Sequence, residues 1–132
     1  MARNKFFNKP CFYNGIKFDS TKERDRYIYL SRLRDEGKIF DLVLQPEYIL
    51  LPTQYREVTV QLKTKTKTVL RVAEKQMSYT ADFSYVKDGQ PVVEDVKGSK
   101  KTITEEFRIK KKLMLYFFGI SVKVVLDARE PV

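Results

Sequence analysis

Carboxylates set inside apolar, β-forming stretches constrain this chain more than any other feature. Asp82 lies in the run Tyr79-Thr80-Ala81-Asp82-Phe83-Ser84-Tyr85, which predicts a strand with the acid in its middle. Segments 76–86 and 91–97 read as a hairpin turning at Lys87-Asp88-Gly89-Gln90. Asp95 and Lys97 are two apart in the second segment, so on a strand they share a face, about 7 Å from each other. A carboxylate within an apolar strand costs free energy unless something compensates it. Two acids and a lysine on neighbouring strands are the minimum set for holding a divalent cation beside a nucleophilic water. The Val96 carbonyl, between Asp95 and Lys97, is a third candidate ligand. Glu94 points to the other face and reads as a solvent-facing charge.

Composition narrows the partner and the ion. The 132 residues suit one domain, and 26 basic against 17 acidic side chains give a net charge of +9, which favours a polyanion such as nucleic acid. No histidine is present, so a bound metal is expected to be hard and held by oxygens, Mg²⁺ or Mn²⁺. One cysteine, Cys11, allows no internal disulfide, which fits a reducing compartment. The absence of a long apolar run predicts neither a signal peptide nor a membrane helix, and a cytoplasmic location.

Phe6, Phe7, Phe12, Tyr13 and Phe18 make residues 1–19 basic and aromatic, with short strands expected at 10–13 and 16–18 around Asn14-Gly15. Ser20-Thr21-Lys22-Glu23 reads as a capping box opening a helix over 21–36, which Gly37 ends. Glu23 is thus either the reciprocal member of that box or, since it also heads the stripe Tyr27, Leu30, Leu33 and can face inward, a third carboxylate able to hold a second metal directly or through water. Strands are expected near 39–44 and 48–51, with Gln45 a candidate at the site edge. The alternating segment from Glu57 continues into Lys63-Thr64-Lys65-Thr66-Lys67-Thr68. It reads either as an edge strand guarded by lysines or as a basic ribbon, spanning 52–75, that contacts phosphates. After the basic turn holding Lys100 and Lys101, Thr102 or Thr104 caps a second helix ending at Gly119. Ile103, Phe107, Met114 and Phe117 form its stripe, and Lys110, inside it, is a candidate for reaching a phosphate. Ile120–Leu126 predicts a last strand.

The motifs Phe18-Asp19-Ser20-Thr21-Lys22-Glu23, Gly37-Lys38-Ile39, Leu44-Gln45-Pro46, Ala81-Asp82-Phe83, Glu94-Asp95-Val96-Lys97-Gly98 and Phe107-Arg108-Ile109-Lys110 together resemble the PD-(D/E)xK nuclease superfamily. They are most similar to small phage and prophage endonucleases related to Holliday-junction resolvases and to endonuclease subunits of some transposases. Ala81 stands where the superfamily name has proline. The resemblance implies an α/β, restriction-endonuclease-like fold, a central mixed β-sheet flanked by helices in a single domain over 1–132. It implies Mg²⁺-dependent DNA cleavage, with Asp82, Asp95 and Glu23 as metal ligands and Lys97 as the catalytic lysine. Branched or junction DNA in phage recombination or replication is the expected substrate, and a homodimer the expected assembly. Two alternatives stay open: a non-catalytic nucleic-acid-binding module, and a subunit that cuts only within a larger assembly.

Overall fold

The computed structural model describes residues 11–132; the expectations at Phe6, Phe7 and residue 10 fall outside them. Among the described residues two compact units are present, one formed by residues 11–46 with Thr80–Val132, the other by Glu47–Tyr79. The second unit is wider than the 52–75 insertion expected from sequence.

In the first unit, β1 (Cys11–Tyr13) and β2 (Ile16–Phe18) pair antiparallel across Asn14 and Gly15, both at positive φ as a tight hairpin turn requires. Helix α1 (Thr21–Asp35) follows. The Ser20 side chain accepts from the Glu23 N–H and caps it. The central sheet has the order β10 (Lys123–Val125), β9 (Gln90–Val96), β8 (Phe83–Lys87), β3 (Phe40–Leu44). Strand β10 is parallel to β9 and the other neighbours are antiparallel, so the sheet is mixed. Helix α2 (Glu105–Phe118) forms the crossover between β9 and β10. Thr104 caps its start by accepting from the Phe107 N–H, and Gly119 ends it in the left-handed conformation. The strand expected over Ile120–Leu126 is shorter than predicted.

The core joins Leu30 and Leu33 of α1 to Ile39, Phe83, Tyr85, Val96 and Val125. On α2, Phe107 and Met114 are buried, seven residues and about two turns apart on one line. Phe117, expected on the same stripe, is 49% exposed, because at 100° per residue it stands about 80° round from Phe107.

The second unit pairs β4 (Glu47–Leu51) with β7 (Met77–Thr80), and β5 (Gln54–Gln61) with β6 (Thr66–Glu74). The alternation from Glu57 to Thr68 is therefore not one strand. It folds back at Leu62–Lys65, where the Leu62 N–H donates to the Lys65 carbonyl at 2.7 Å. Lys63 and Lys65 sit in this loop and only Lys67 lies on a strand, so the alternate lysines do not share one strand face. No helix among the described residues is long and apolar enough to cross a membrane.

Candidate active site

The turn between β8 and β9 sets the geometry of the acids. Asp88 and Gly89 both adopt positive φ, and Lys87 pairs with Gln90, a two-residue turn that leaves no slack in the register. That register brings Phe83 against Glu94 and ends there; just beyond it the Asp82 carboxylate reaches the N–H of Val96, the residue after Asp95, at 2.7 Å. Thirteen residues of sequence separation thus become two neighbouring carboxylates, close enough for Asp95 to raise the pKa of Asp82.

Asp82 itself is not mid-strand, as its apolar flanks predict, but at a bend between β7 and β8. At this point the chain stops pairing with one neighbour and starts pairing with others, and Asp82 fills the break. Its N–H donates to the Glu94 carbonyl at 3.1 Å, its carbonyl accepts from the Gln45 N–H at 2.9 Å, and its Oδ2 accepts from the Val96 N–H at 2.7 Å. The side chain takes a donor that a continued β8 would have used. Gln45, expected at the site edge, holds this bend through its backbone.

Lys97 follows β9 directly. Its Nζ lies 3.5 Å from Asp95 Oδ1 and 4.2 Å from the centre of the Phe107 ring. The ammonium is thus held between a carboxylate and an aromatic face supplied by α2. Glu23, at the start of α1, is close enough to feel the charge of both Asp95 and Asp82. Its carboxylate accepts from the Asp19 backbone, so the reciprocal half of the expected capping box is absent. Glu23 and Asp82 line one small cavity of about 130 Å³ with Lys17, Gln45 and Phe83. A larger groove of about 970 Å³ runs along α1 beside Leu126–Arg129, but none of Glu23, Asp82, Asp95 or Lys97 lines it, so size does not mark the site.

Burial first, and then the crowding of like charges, show in the protonation equilibria. Burial, then Asp95 and Glu23, push Asp82 up to about 9, although the Val96 N–H opposes this. Burial, then Asp19 and Asp95, push Glu23 up to about 7. Both acids titrate near 4 in an unfolded chain, so between there and about 9 the folded, metal-free protein holds protons that the unfolded chain has lost. Stability contributed by these protons is present at low pH and is lost as pH rises. Asp82→Asn keeps an acceptor for Val96 and cannot ionise. In a chelator, its melting temperature is expected to fall less than that of the parent between pH 6 and 9. Parallel pH curves for the two proteins would contradict the raised pKa of Asp82.

Glu94 is the site's main departure from expectation. It does point away from Asp95, but into the core, fully buried, rather than to solvent. It receives Arg26 Nε at Oε1 (2.8 Å), Arg26 Nη2 at Oε2 (2.5 Å) and the Tyr85 hydroxyl. Arg26 Nη1 also donates to the carbonyls of Ala128 and Glu130. Burial opposes the Arg26 charge, but the bonds and charge of Glu94 prevail and raise its pKa. Burial and then Glu94 raise that of Tyr85. Arg26 lies three residues after Glu23 and four before Leu30, on the apolar stripe, which was the available signal. Lys22 was also missed: its Nζ donates to Gly98 (3.0 Å) and Leu126 (2.8 Å), joining α1 to the ends of β9 and β10. Helix and strand are therefore locked together behind the acids they carry.

The expected DNA contacts divide. Lys110 is half-buried on α2 and paired with Glu106 at 3.0 Å. Lys100 and Lys101 are exposed in a short 3-10 turn before α2, and Lys63, Lys65 and Lys67 are exposed on the β5–β6 hairpin.

Chemically, the donors are oxygens of a mutually repelling acid cluster, the set that suits a hard divalent ion. Among the described residues, no three acidic side chains already enclose a common point. Magnesium needs no such cage, since it binds through one or two carboxylates and keeps several waters. No curated protein and no solved structure matches the chain. A family pattern covers residues 3–128, nearly the whole sequence, and the chain belongs to that family, DUF1064, described as a protein of unknown function.

Proposed function

We propose that this protein is a restriction-endonuclease-like, Mg²⁺- or Mn²⁺-dependent DNA endonuclease whose site is Asp82, Asp95, Lys97 and Glu23. The carrying observation is the gathering of charge at the open end of the β8–β9 hairpin: the Asp82 carboxylate accepts from the N–H of Val96, beside Asp95, and Lys97 lies 3.5 Å from Asp95. A bound ion would neutralise the acids, lower the pKa of a water and offset charge at phosphorus. Asp82 and Asp95 supply the ligand oxygens. The Val96 carbonyl leaves β9 on the same edge as the N–H that reaches Asp82, which suits a third ligand. Glu23 adds negative charge from the helix side. Lys97, fixed by Asp95 and Phe107, presents its ammonium to the attacking water or to the phosphate oxygens. Lys100, Lys101, Lys63, Lys65 and Lys67 offer phosphate contacts, and Lys110 does so by exchanging Glu106 for a phosphate.

The resemblance to phage resolvase-like endonucleases favours branched DNA. A panel of junction, flap, single-stranded and duplex substrates at fixed salt is expected to show Mg²⁺-dependent cleavage of at least one, abolished by chelator. Binding without cleavage of any substrate, with or without added partner, would favour the binding-module alternative.

A further inference from the structure

The β5–β6 hairpin has two unlike faces. Its register sets Tyr55 against Val72, Arg56 against Arg71, Glu57 against Leu70, Val58 against Val69, Thr59 against Thr68 and Val60 against Lys67. Side chains alternate, so one face carries Arg56, Arg71 and Lys67 around half-buried valines. The other carries Tyr55, Glu57, Thr59, Thr68, Leu70 and Val72, with no cation. Lys63 and Lys65 extend the charge to the tip.

Arg56 directly opposes Arg71. Like charges in this position destabilise a hairpin, since their Cβ atoms stand only about 5 Å apart. No carboxylate relieves either arginine among the described residues. Guarding a strand edge against aggregation requires a lysine or two, not facing arginines. A phosphate relieves such a pair, because each guanidinium fork can bond its oxygens in a bidentate manner. At about 3.4 Å per residue the eight residues of β5 reach roughly 27 Å, and a two-stranded ribbon fits the major groove of B-DNA, about 12 Å wide.

We propose that the β5–β6 hairpin is an arm for the backbone of duplex DNA and that Arg56 and Arg71 form its phosphate clamp, with Lys67 on the same face. The proposal rests on the reading of DNA as the substrate, and it assigns two arginines that sequence alternation alone does not single out.

Fluorescence anisotropy with a labelled duplex, in chelator so that nothing is cut, tests it. Arg56→Gln/Arg71→Gln is expected to weaken binding roughly tenfold at about 0.1 M salt and to reduce the log–log salt slope by about 2, near 0.9 for each phosphate no longer neutralised. Arg56→Lys/Arg71→Lys is expected to retain the slope, and Glu57→Gln, on the other face, to retain or slightly raise affinity. Circular dichroism matching the parent shows that the variants are folded. Parent-like affinity and slope in the glutamine double variant would overturn the clamp and leave the nuclease reading intact. Retention of the parent on anionic vesicles but not on duplex would overturn the clamp. If the parent cuts nothing, with or without added partner, but the glutamine double variant still binds duplex more weakly, the clamp is supported and only the nuclease reading is removed.

Discussion

Arg26→Ala is expected to cost about 3–5 kcal/mol of folding stability, the usual cost of leaving one member of a buried ion pair uncompensated. Both side chains of the Arg26–Glu94 pair are inaccessible to solvent. Removing the guanidinium would strand the Glu94 carboxylate with only the Tyr85 hydroxyl, and leave the Ala128 and Glu130 carbonyls without their donor. Glu94→Ala should cost a similar amount by stranding the arginine. Arg26→Met/Glu94→Leu should recover much of the loss, because well-packed apolar side chains replace buried pairs at little or no cost. Urea denaturation of the three variants measures this. A loss below about 1 kcal/mol in Arg26→Ala would show that the pair is not buried as described. The pair ties α1, which carries Glu23, to β9, which carries Asp95.

The second large effect is on catalysis. Asp95→Ala and Asp82→Ala are each expected to lower Mg²⁺-dependent cleavage by about three orders of magnitude or more, while duplex binding in chelator stays near that of the parent. Lys97→Met should lower the cleavage rate by about 10²–10³ with little change in substrate affinity, since a group acting on developing charge lowers the rate rather than ground-state binding. Single-turnover rates at saturating protein separate these effects from binding. Asp95→Ala cutting as fast as the parent would place the chemistry elsewhere. The Asp82 variant carries a further consequence, because the same residue closes the bend at Gln45 and Val96. Asp82→Asn, which keeps an acceptor there, is therefore the cleaner test of the charge.

Local chemistry made much of this architecture legible from the chain. Ser20, Thr102 or Thr104, and Gly119 mark helix ends by side-chain capping and by a left-handed terminus, and the structure places Ser20, Thr104 and Gly119 there. Asp88-Gly89 marks the turn, and the turn fixes which residues face each other, so Asp82, Asp95 and Lys97 were traceable as neighbours. What stayed hidden depends on packing. Glu94 reads as a solvent-facing charge because a lone charge is expensive to bury, and only the fold brings Arg26 to it. The hairpin reversal at Leu62–Lys65 contains no glycine, proline or asparagine, so lysine–threonine alternation runs through it without a signal. Asp82 leaves the strand because its carboxylate finds a backbone donor in another segment, and no local propensity encodes that.

The central claim, that Asp82 and Asp95 are gathered to hold a hard divalent cation, meets its most direct test in calorimetric titration of Mg²⁺ into the DNA-free protein at pH 8 and moderate salt. Saturable heat in the parent, absent from Asp82→Asn and from Asp95→Asn, with affinity that falls as pH drops from 9 to 6 and the acids regain their protons, is the expected result. Identical heats for the parent and both variants, or no heat at millimolar Mg²⁺, would contradict it.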